Sequence, residues 1–176
     1  MTTDPAEGQP RSTAYLDTNL VIGILERDLE YEQQPFRRLL QAHSEGVLEL
    51  VTSSVTLEEL EKHESEEKRE PLLDIYRLLR KITFVAEDDL LWQTIGRPGQ
   101  SRVYGPLPVK AADLERLKTI LPDADDARHL FQAARNGIDY FVTGDQDTIL
   151  KHWEEVEIAV SIRVCSPSDL VYELGL

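Results

Sequence analysis

The chain has 176 residues, with 19 basic against 33 acidic side chains, a net charge of −14 and a pI near 4.7. A chain of this length with 41% hydrophobic residues buries a full core, which excludes wholesale disorder. The single cysteine, Cys165, excludes an internal disulfide framework and a multi-cysteine zinc site, and the acidity excludes a uniformly basic nucleic-acid coat.

Residues 1–13 mix acids, prolines and a glycine, and read as a flexible tail without an apolar leader. No apolar run approaches the roughly 18 residues a membrane span needs, so the expected setting is cytoplasmic, with no membrane partner. Residues 14–16 form a first strand, stopped by Asp17-Thr18-Asn19. Residues 20–27 and 34–43 read as helices, the second with Phe36, Leu39 and Leu40 at helical spacing, and Gly46 ends it. A second strand spans 47–51 and runs into Thr52-Ser53-Ser54. A helix follows through Leu57 and Leu60, and Pro71 opens another with Leu72, Ile75, Tyr76 and Leu79 on one face. Residues 82–85 suggest a short strand, and 96–108, with three glycines and three prolines, an irregular stretch. Over 123–136, Ala127, Leu130, Phe131 and Ala134 fit a helical template that Gly137 stops. Residues 140–142 form a strand ending in Thr143-Gly144-Asp145. Ile158, Val160, Ile162 and Val164 alternate as on an edge strand, and Ser166-Pro167 opens the last helix. This rhythm predicts an α/β fold with a mostly parallel sheet, a single domain over 14–176 with an irregular basic arm at about 91–121.

Asp17, Ser53 and Asp145 each follow an apolar strand. Ligands of open parallel sheets bind beyond the carboxyl ends of the strands, and right-handed crossovers keep those ends on one rim. Glu58 and Glu59 begin the helix after the second strand and approach that rim. Asp125 and Asp126 stand in the first turn of their helix, and spacing alone leaves their place relative to the rim open. Two carboxylates at ~4 Å repel by about 4 kcal/mol at an effective dielectric of 20, a cost that a bound cation removes. Oxygen ligands suit Mg²⁺ or Mn²⁺, which would polarise a phosphate oxygen and activate a water. The plainer reading makes each acid a helix cap: Asp17, Asp145, Glu59 in Thr56-x-x-Glu59, and Asp126 in Asp123-x-x-Asp126. A helical wheel sets Asp126 about 90° from the apolar face and Asp125 nearly opposite it, but does not separate Glu58 from Glu59. His43, His63, His129 and His152 lack ligand spacing, and His129 reads as a helix-surface residue. Trp92 and Trp153 read as core or half-buried, and Tyr104 as packing.

Tyr15-Leu16-Asp17-Thr18-Asn19-Leu20-Val21 resembles the opening motif of PIN-domain nucleases. Thr52-Ser53-Ser54-Val55-Thr56-Leu57-Glu58-Glu59-Leu60 is similar to their second motif, and Asp126-Ala127 with Ala133-Ala134 and Gly137 to the third. Phe141-Val142-Thr143-Gly144-Asp145-Gln146-Asp147 resembles the fourth, and Val164-Cys165-Ser166-Pro167 the close. The resemblance implies a three-layer α/β/α sandwich and a Mg²⁺- or Mn²⁺-dependent endoribonuclease cleaving single-stranded RNA. It makes Asp17, Glu59, Asp126 and Asp145 the acidic metal site, Asp147 an auxiliary ligand, and Asn19, Ser53 and Thr143 the groups that orient them. It also places the start of the Asp126 helix at the rim and favours Glu59 over Glu58. Toxin-type members are the nearest look-alikes, although the 67 positions from Glu59 to Asp126 exceed the spacing of their compact forms.

Residues 58–70 hold seven acids and three bases, a solvated helix face. Residues 91–121 hold five bases against two acids, so Arg97, Arg102 and Lys110 are the candidates for touching phosphate. The alternative for this arm is a homodimer contact or plain exposure. RNA is the implied substrate, and an inhibitor protein of the antitoxin kind would be a separate chain. Two other functions compete: a non-catalytic PIN-like module binding RNA or a protein partner, and a phosphatase with an aspartate nucleophile. The second wants Asp-x-Asp after the first strand, where this chain has Asn19.

Overall fold

The structure is a computed structural model and describes residues 11–26, 29–61, 69–71, 73, 83–85 and 111–176. In chain order its elements are β1 (Ser12–Leu16), α1 (Thr18–Glu26), a 3₁₀ turn (Glu30–Glu32), α2 (Gln33–Ser44), β2 (Leu48–Ser53), α3 (Ser54–Glu61) and β3 (Thr83–Val85). Then come α4 (Ala111–Ile120), α5 (Ala124–Arg135), β4 (Tyr140–Val142), a 3₁₀ turn (Leu150–His152), α6 (Trp153–Val160), β5 (Arg163–Cys165) and α7 (Pro167–Leu174).

Among the described residues five strands pair in the order β3-β2-β1-β4-β5, all parallel. The three apolar runs legible in the sequence, β2, β1 and β4, are the central strands. Their side chains alternate between two cores, as the pleat requires. Tyr15, Val51, Phe141 and Val164 join Leu117, Leu130 and Val156 beneath α4, α5 and α6. Ala14, Leu16, Leu50, Val142 and Cys165 join Leu20, Leu39 and Leu170 beneath α1, α2 and α7. This is a three-layer α/β/α sandwich.

The two ends of the sheet are tied differently. At the amino end, Asp139 accepts from the Thr13 backbone N–H and hydroxyl, both at 2.8 Å, and so locks β1 beside β4. At the carboxyl end, the Asp17 N–H donates to Val142 O at 3.0 Å, so the first residue beyond β1 stays in register with β4. α7 opens with a capping box between Ser166 and Asp169 and with Pro167 in its first turn.

Several boundaries differ from the sequence reading. The tail expected over 1–13 is shorter, because Ser12 and Thr13 already lie in β1; residues 1–10 lie outside the described residues. The second strand runs over Leu48–Ser53, and Val47 is exposed. The basic arm is not irregular to residue 121. Ala111–Ile120 is a helix whose Leu117 enters the core, while 91–110, with Trp92 and Tyr104, lies outside the described residues. The helix expected from Pro71 falls almost entirely outside them too. The alternation from Ile158 to Val164 is two elements, the end of α6 and the edge strand β5. Trp153 is 39% exposed rather than half-buried, with the Arg163 guanidinium over its ring at 5.5 Å.

Candidate active site

The rim beyond the carboxyl ends of β1, β2 and β4 gathers the polar residues that the sequence placed at strand ends. Asp17 follows β1 and is 3% exposed. Thr143 Oγ1 donates to its Oδ2 at 2.7 Å. The same hydroxyl accepts from Asn19 Nδ2 at 3.0 Å and from the Asp145 N–H at 3.1 Å. Asn19 Oδ1 takes the Gly144 N–H at 3.0 Å. Asn19 and Thr143 therefore both orient Asp17, and they fasten the loop after β4 to the start of α1. The Gly144 backbone lies against the methyl ends of Leu29, which would have to shift to admit a side chain there.

Asp145 makes the turn beyond β4. Its Oδ1 accepts the N–H groups of Asp147 at 3.0 Å and Thr148 at 2.9 Å, and its Oδ2 accepts the Thr148 hydroxyl. Asp145 thus caps the turn after β4 rather than a helix, since the 3₁₀ turn begins at Leu150 and α6 at Trp153, neither with a side-chain cap. Asp147 is exposed on the same turn.

Asp126 reaches the rim from the first turn of α5. Asp123 caps that helix by accepting the Asp125 N–H, and Asp125 turns away to pair with Arg128 at 2.9 Å. The wheel's separation of the two acids holds. Burial, then the charges of Asp17, Asp123 and Asp145, push the Asp126 carboxyl up to about 7. Burial also raises Asp17, against the pull of His129 and the Thr143 hydrogen bond.

Glu59, on α3, meets a partner that the sequence reading missed. His129 Nε2 stands 2.9 Å from Glu59 Oε2. The residue read as a helix-surface histidine is 1% exposed. Burial disfavours its charge, but the Glu59 hydrogen bond and the charges of Asp17, Glu59 and Asp126 outweigh burial and raise its pKa. On its other side, Nδ1 is hydrogen-bonded to Tyr15 Oη at 2.6 Å, and the phenol is hydrogen-bonded in turn to Ser53 Oγ at 2.5 Å. Ser53 thus orients Tyr15. Asp126, His129 and Ala133 share a helical face that continues from the rim into the interior. The Glu58 side chain, Arg97, Arg102 and Lys110 lie outside the described residues.

Acids at the ends of central parallel strands, carried by four motifs in order, have a counterpart among known families. The family profile for the PIN domain matches residues 13–147. The chain belongs to the PIN-domain nuclease family. The fold agrees. The VapBC2 crystal structure from Rickettsia felis, bound to a DNA fragment from their promoter, contains a chain with TM-score 0.54 and 13% identity, covering 88% of this chain and 98% of that one. A chain of the DNA-bound VapBC structure from Salmonella typhimurium gives TM-score 0.51 and 17% identity, covering 89% and 98%. A comparison by sequence with characterised proteins gives no match.

PIN domains generally act with divalent metal ions, and the residues at this rim fit one. The donors are carboxylate oxygens, which suit a hard cation. Burial, and then the negative charges of Asp17, Asp123 and Asp145, disfavour the ionised Asp126 carboxylate, which a cation would favour. Among the described residues no three His, Cys, Asp or Glu side chains form a preformed ligand set, so the acids stand within electrostatic reach without converging. Among the described residues, also, no helix is long and apolar enough to cross a membrane.

Proposed function

We propose that this PIN-domain protein is a Mg²⁺- or Mn²⁺-dependent endoribonuclease acting on single-stranded RNA, with Asp17, Glu59, Asp126 and Asp145 as its metal-holding acids. Asp147 would assist from the turn. The single observation that carries this reading is geometric: in a chain matching the PIN-domain profile, the buried Asp17 beyond β1 is held by Thr143 and Asn19 at the rim shared with the Asp145 turn and the first turn of α5, where gathering like charges carries a penalty. A cation at the rim would remove that penalty. When bound, the ion would polarise a phosphate oxygen and lower the pKa of a water. The chain's part is to hold and orient. Thr143 fixes Asp17, Asn19 fixes Thr143, and His129 fixes Glu59. Arg97, Arg102 and Lys110 are proposed as the contacts to the RNA backbone. The lone buried thiol of Cys165 is in keeping with a reducing, cytoplasmic setting. Because the two solved structures described above are of VapBC complexes, we also propose a protein partner of the antitoxin kind.

The test is cleavage of a defined single-stranded RNA by the purified chain. Cleavage should need Mg²⁺ or Mn²⁺, cease in EDTA, and fall by orders of magnitude in Asp17→Asn and Asp126→Asn while both variants keep a wild-type circular dichroism spectrum. Undiminished cleavage by the double variant would remove the reading.

A further inference from the structure

Behind the acidic rim, four side chains from four elements form one buried hydrogen-bonded chain. It runs from Ser53 at the end of β2 through Tyr15 in β1 and His129 in α5 to Glu59 in α3, with separations of 2.5, 2.6 and 2.9 Å. Tyr15 is wholly buried. Its ring lies flat against Phe141, 5.4 Å between centroids and 9° between planes, and edge-on to His129 at 5.7 Å. The phenol therefore cannot swing away from the imidazole. Thr18 Oγ1 stands 3.4 Å from Nε2 on the remaining side.

This arrangement decides what His129 is able to do. Both ring nitrogens are engaged, so it has no lone pair for a metal and no access to substrate. A histidine that merely filled space would need any two polar neighbours. Here one neighbour is rigid and interior, and the other is a carboxylate whose side chain is 26% exposed at the rim. A glutamate has three rotatable bonds, and holding one of its oxygens removes most of that freedom. We propose that His129 is a positioning residue: clamped through Nδ1 by Tyr15, it holds the Glu59 carboxylate at the rim through Nε2 and so sets how tightly the site takes a divalent cation. The proposal rests on the nuclease reading given above, and it adds Tyr15 and Ser53 as the support behind the clamp.

Two amide variants separate the two ends of the ring. In His129→Gln the amide nitrogen falls near the position of Nε2 and can still donate to Glu59. In His129→Asn it falls near Nδ1, keeps a partner for Tyr15, and releases Glu59. The full chain and each variant are titrated with Mn²⁺, read as the loss of the free-ion paramagnetic resonance signal. They are also melted in EDTA and assayed on single-stranded RNA. His129→Asn should weaken Mn²⁺ binding about 10–100-fold, the usual cost of losing a partner that orients a ligand. It should lower kcat and leave the KM for RNA unchanged. His129→Gln should recover most of that affinity, although both variants melt below wild type. Tyr15→Phe keeps the aromatic stack, removes the clamp, and should weaken Mn²⁺ binding in the same direction. The clamp is overturned if the two amide variants lose affinity equally in proportion to their melting temperatures, or if His129→Asn binds Mn²⁺ like wild type. It is overturned too if His129→Asn fails to fold and Tyr15→Phe binds normally, which assigns the histidine to the core. A wild-type chain that binds no Mn²⁺ and leaves RNA intact removes the nuclease reading and the clamp together; the other outcomes remove the clamp alone.

Discussion

The hydroxyl of Thr143 donates to the carboxylate of Asp17 across 2.7 Å, joining the end of β4 to the end of β1. Asp17 is buried, so the bond stands in place of the water that the carboxylate gave up on folding. Losing such a bond leaves a buried acceptor unsatisfied, at a cost of about 1–3 kcal/mol. Thr143→Val keeps the shape and removes both the donor to Asp17 and the acceptor used by Asn19 and the Asp145 N–H. Urea unfolding in EDTA should show a loss in that range, and Thr143→Ser should restore most of it. Equal stability of the Val and Ser variants would mean that the bond contributes nothing net.

The acids of the rim should respond oppositely to neutralisation. Among the described residues no hydrogen bond reaches the Asp126 carboxylate, and its neighbours Asp17, Asp123 and Asp145 repel it. Asp126→Asn should therefore raise the melting temperature of the metal-free protein. Asp145 accepts three bonds from the turn it makes. Asp145→Ala should lower stability by about 1 kcal/mol, the usual cost of a lost cap. Adding Mg²⁺ should stabilise wild type by about 2.7 kcal/mol at a concentration 100 times the dissociation constant, and should do much less for Asp126→Asn. Melting curves of the three proteins with EDTA and with Mg²⁺ check both halves. A lower melting temperature for Asp126→Asn in EDTA would mean that its charge is already compensated.

The centre of the sheet was legible because a strand covered on both faces must be mostly apolar, and 14–16, 140–142 and, apart from Glu49, 47–51 are. Asp17 and Asp145 were legible at the rim because ligands meet a parallel sheet at its strand ends, whereas Glu59 and Asp126, which stand on helices, were assigned to it through the family resemblance. Three features were not. Ser161 ends α6 in the left-handed region at φ 54, so no glycine marked the break, and the apolar residues on either side mimicked one strand. Trp153, read as core or half-buried, is 39% exposed, with the Arg163 guanidinium over its ring. His129 lies away from the main apolar face of α5 and is buried because that helix packs against α3 and α4 as well as the sheet. A helical wheel sees one face at a time and misses a helix buried on two.

The metal-free protein should become less stable as the pH rises through neutrality. The raised Asp126 carboxyl holds its proton more tightly in the folded chain than in the unfolded one. Its ionisation therefore costs nothing below the ordinary carboxylate range, and the cost grows until it is complete above about 7. His129 acts in the same direction: its raised pKa stabilises fully below its unfolded value near 6.5, and that support fades as the pH passes the folded value. Melting temperatures in EDTA should fall between about pH 5 and about pH 8, and Asp126→Asn should flatten the fall. With Mn²⁺ the trend should reverse, because the ligands bind the ion only after losing their protons. Parallel curves for wild type and Asp126→Asn would remove Asp126 as the source.

The basic segment carries the last prediction. A body of net charge −14 repels RNA, so productive encounter needs a local positive surface. Between residues 91 and 121 five bases face two acids. The structure narrows the choice among them. Lys118 on α4 is paired with Glu115 at 2.8 Å, which leaves it less able to take a phosphate. Arg97, Arg102 and Lys110 precede that helix, and the first two lie within the Gly- and Pro-rich stretch. Replacing Arg97 and Arg102 with alanine should weaken binding to every single-stranded RNA alike, since groups that touch only phosphate carry no sequence information. The slope of log affinity against log salt should fall by about 0.7 for each phosphate that is no longer neutralised. Mn²⁺ affinity without RNA should stay the same, because no carboxylate ligand is touched. An unchanged salt slope, together with a changed molecular mass by light scattering, would assign the segment to self-association. The RNA path would then have to run elsewhere, and Arg37, exposed on α2, would be the next residue to replace.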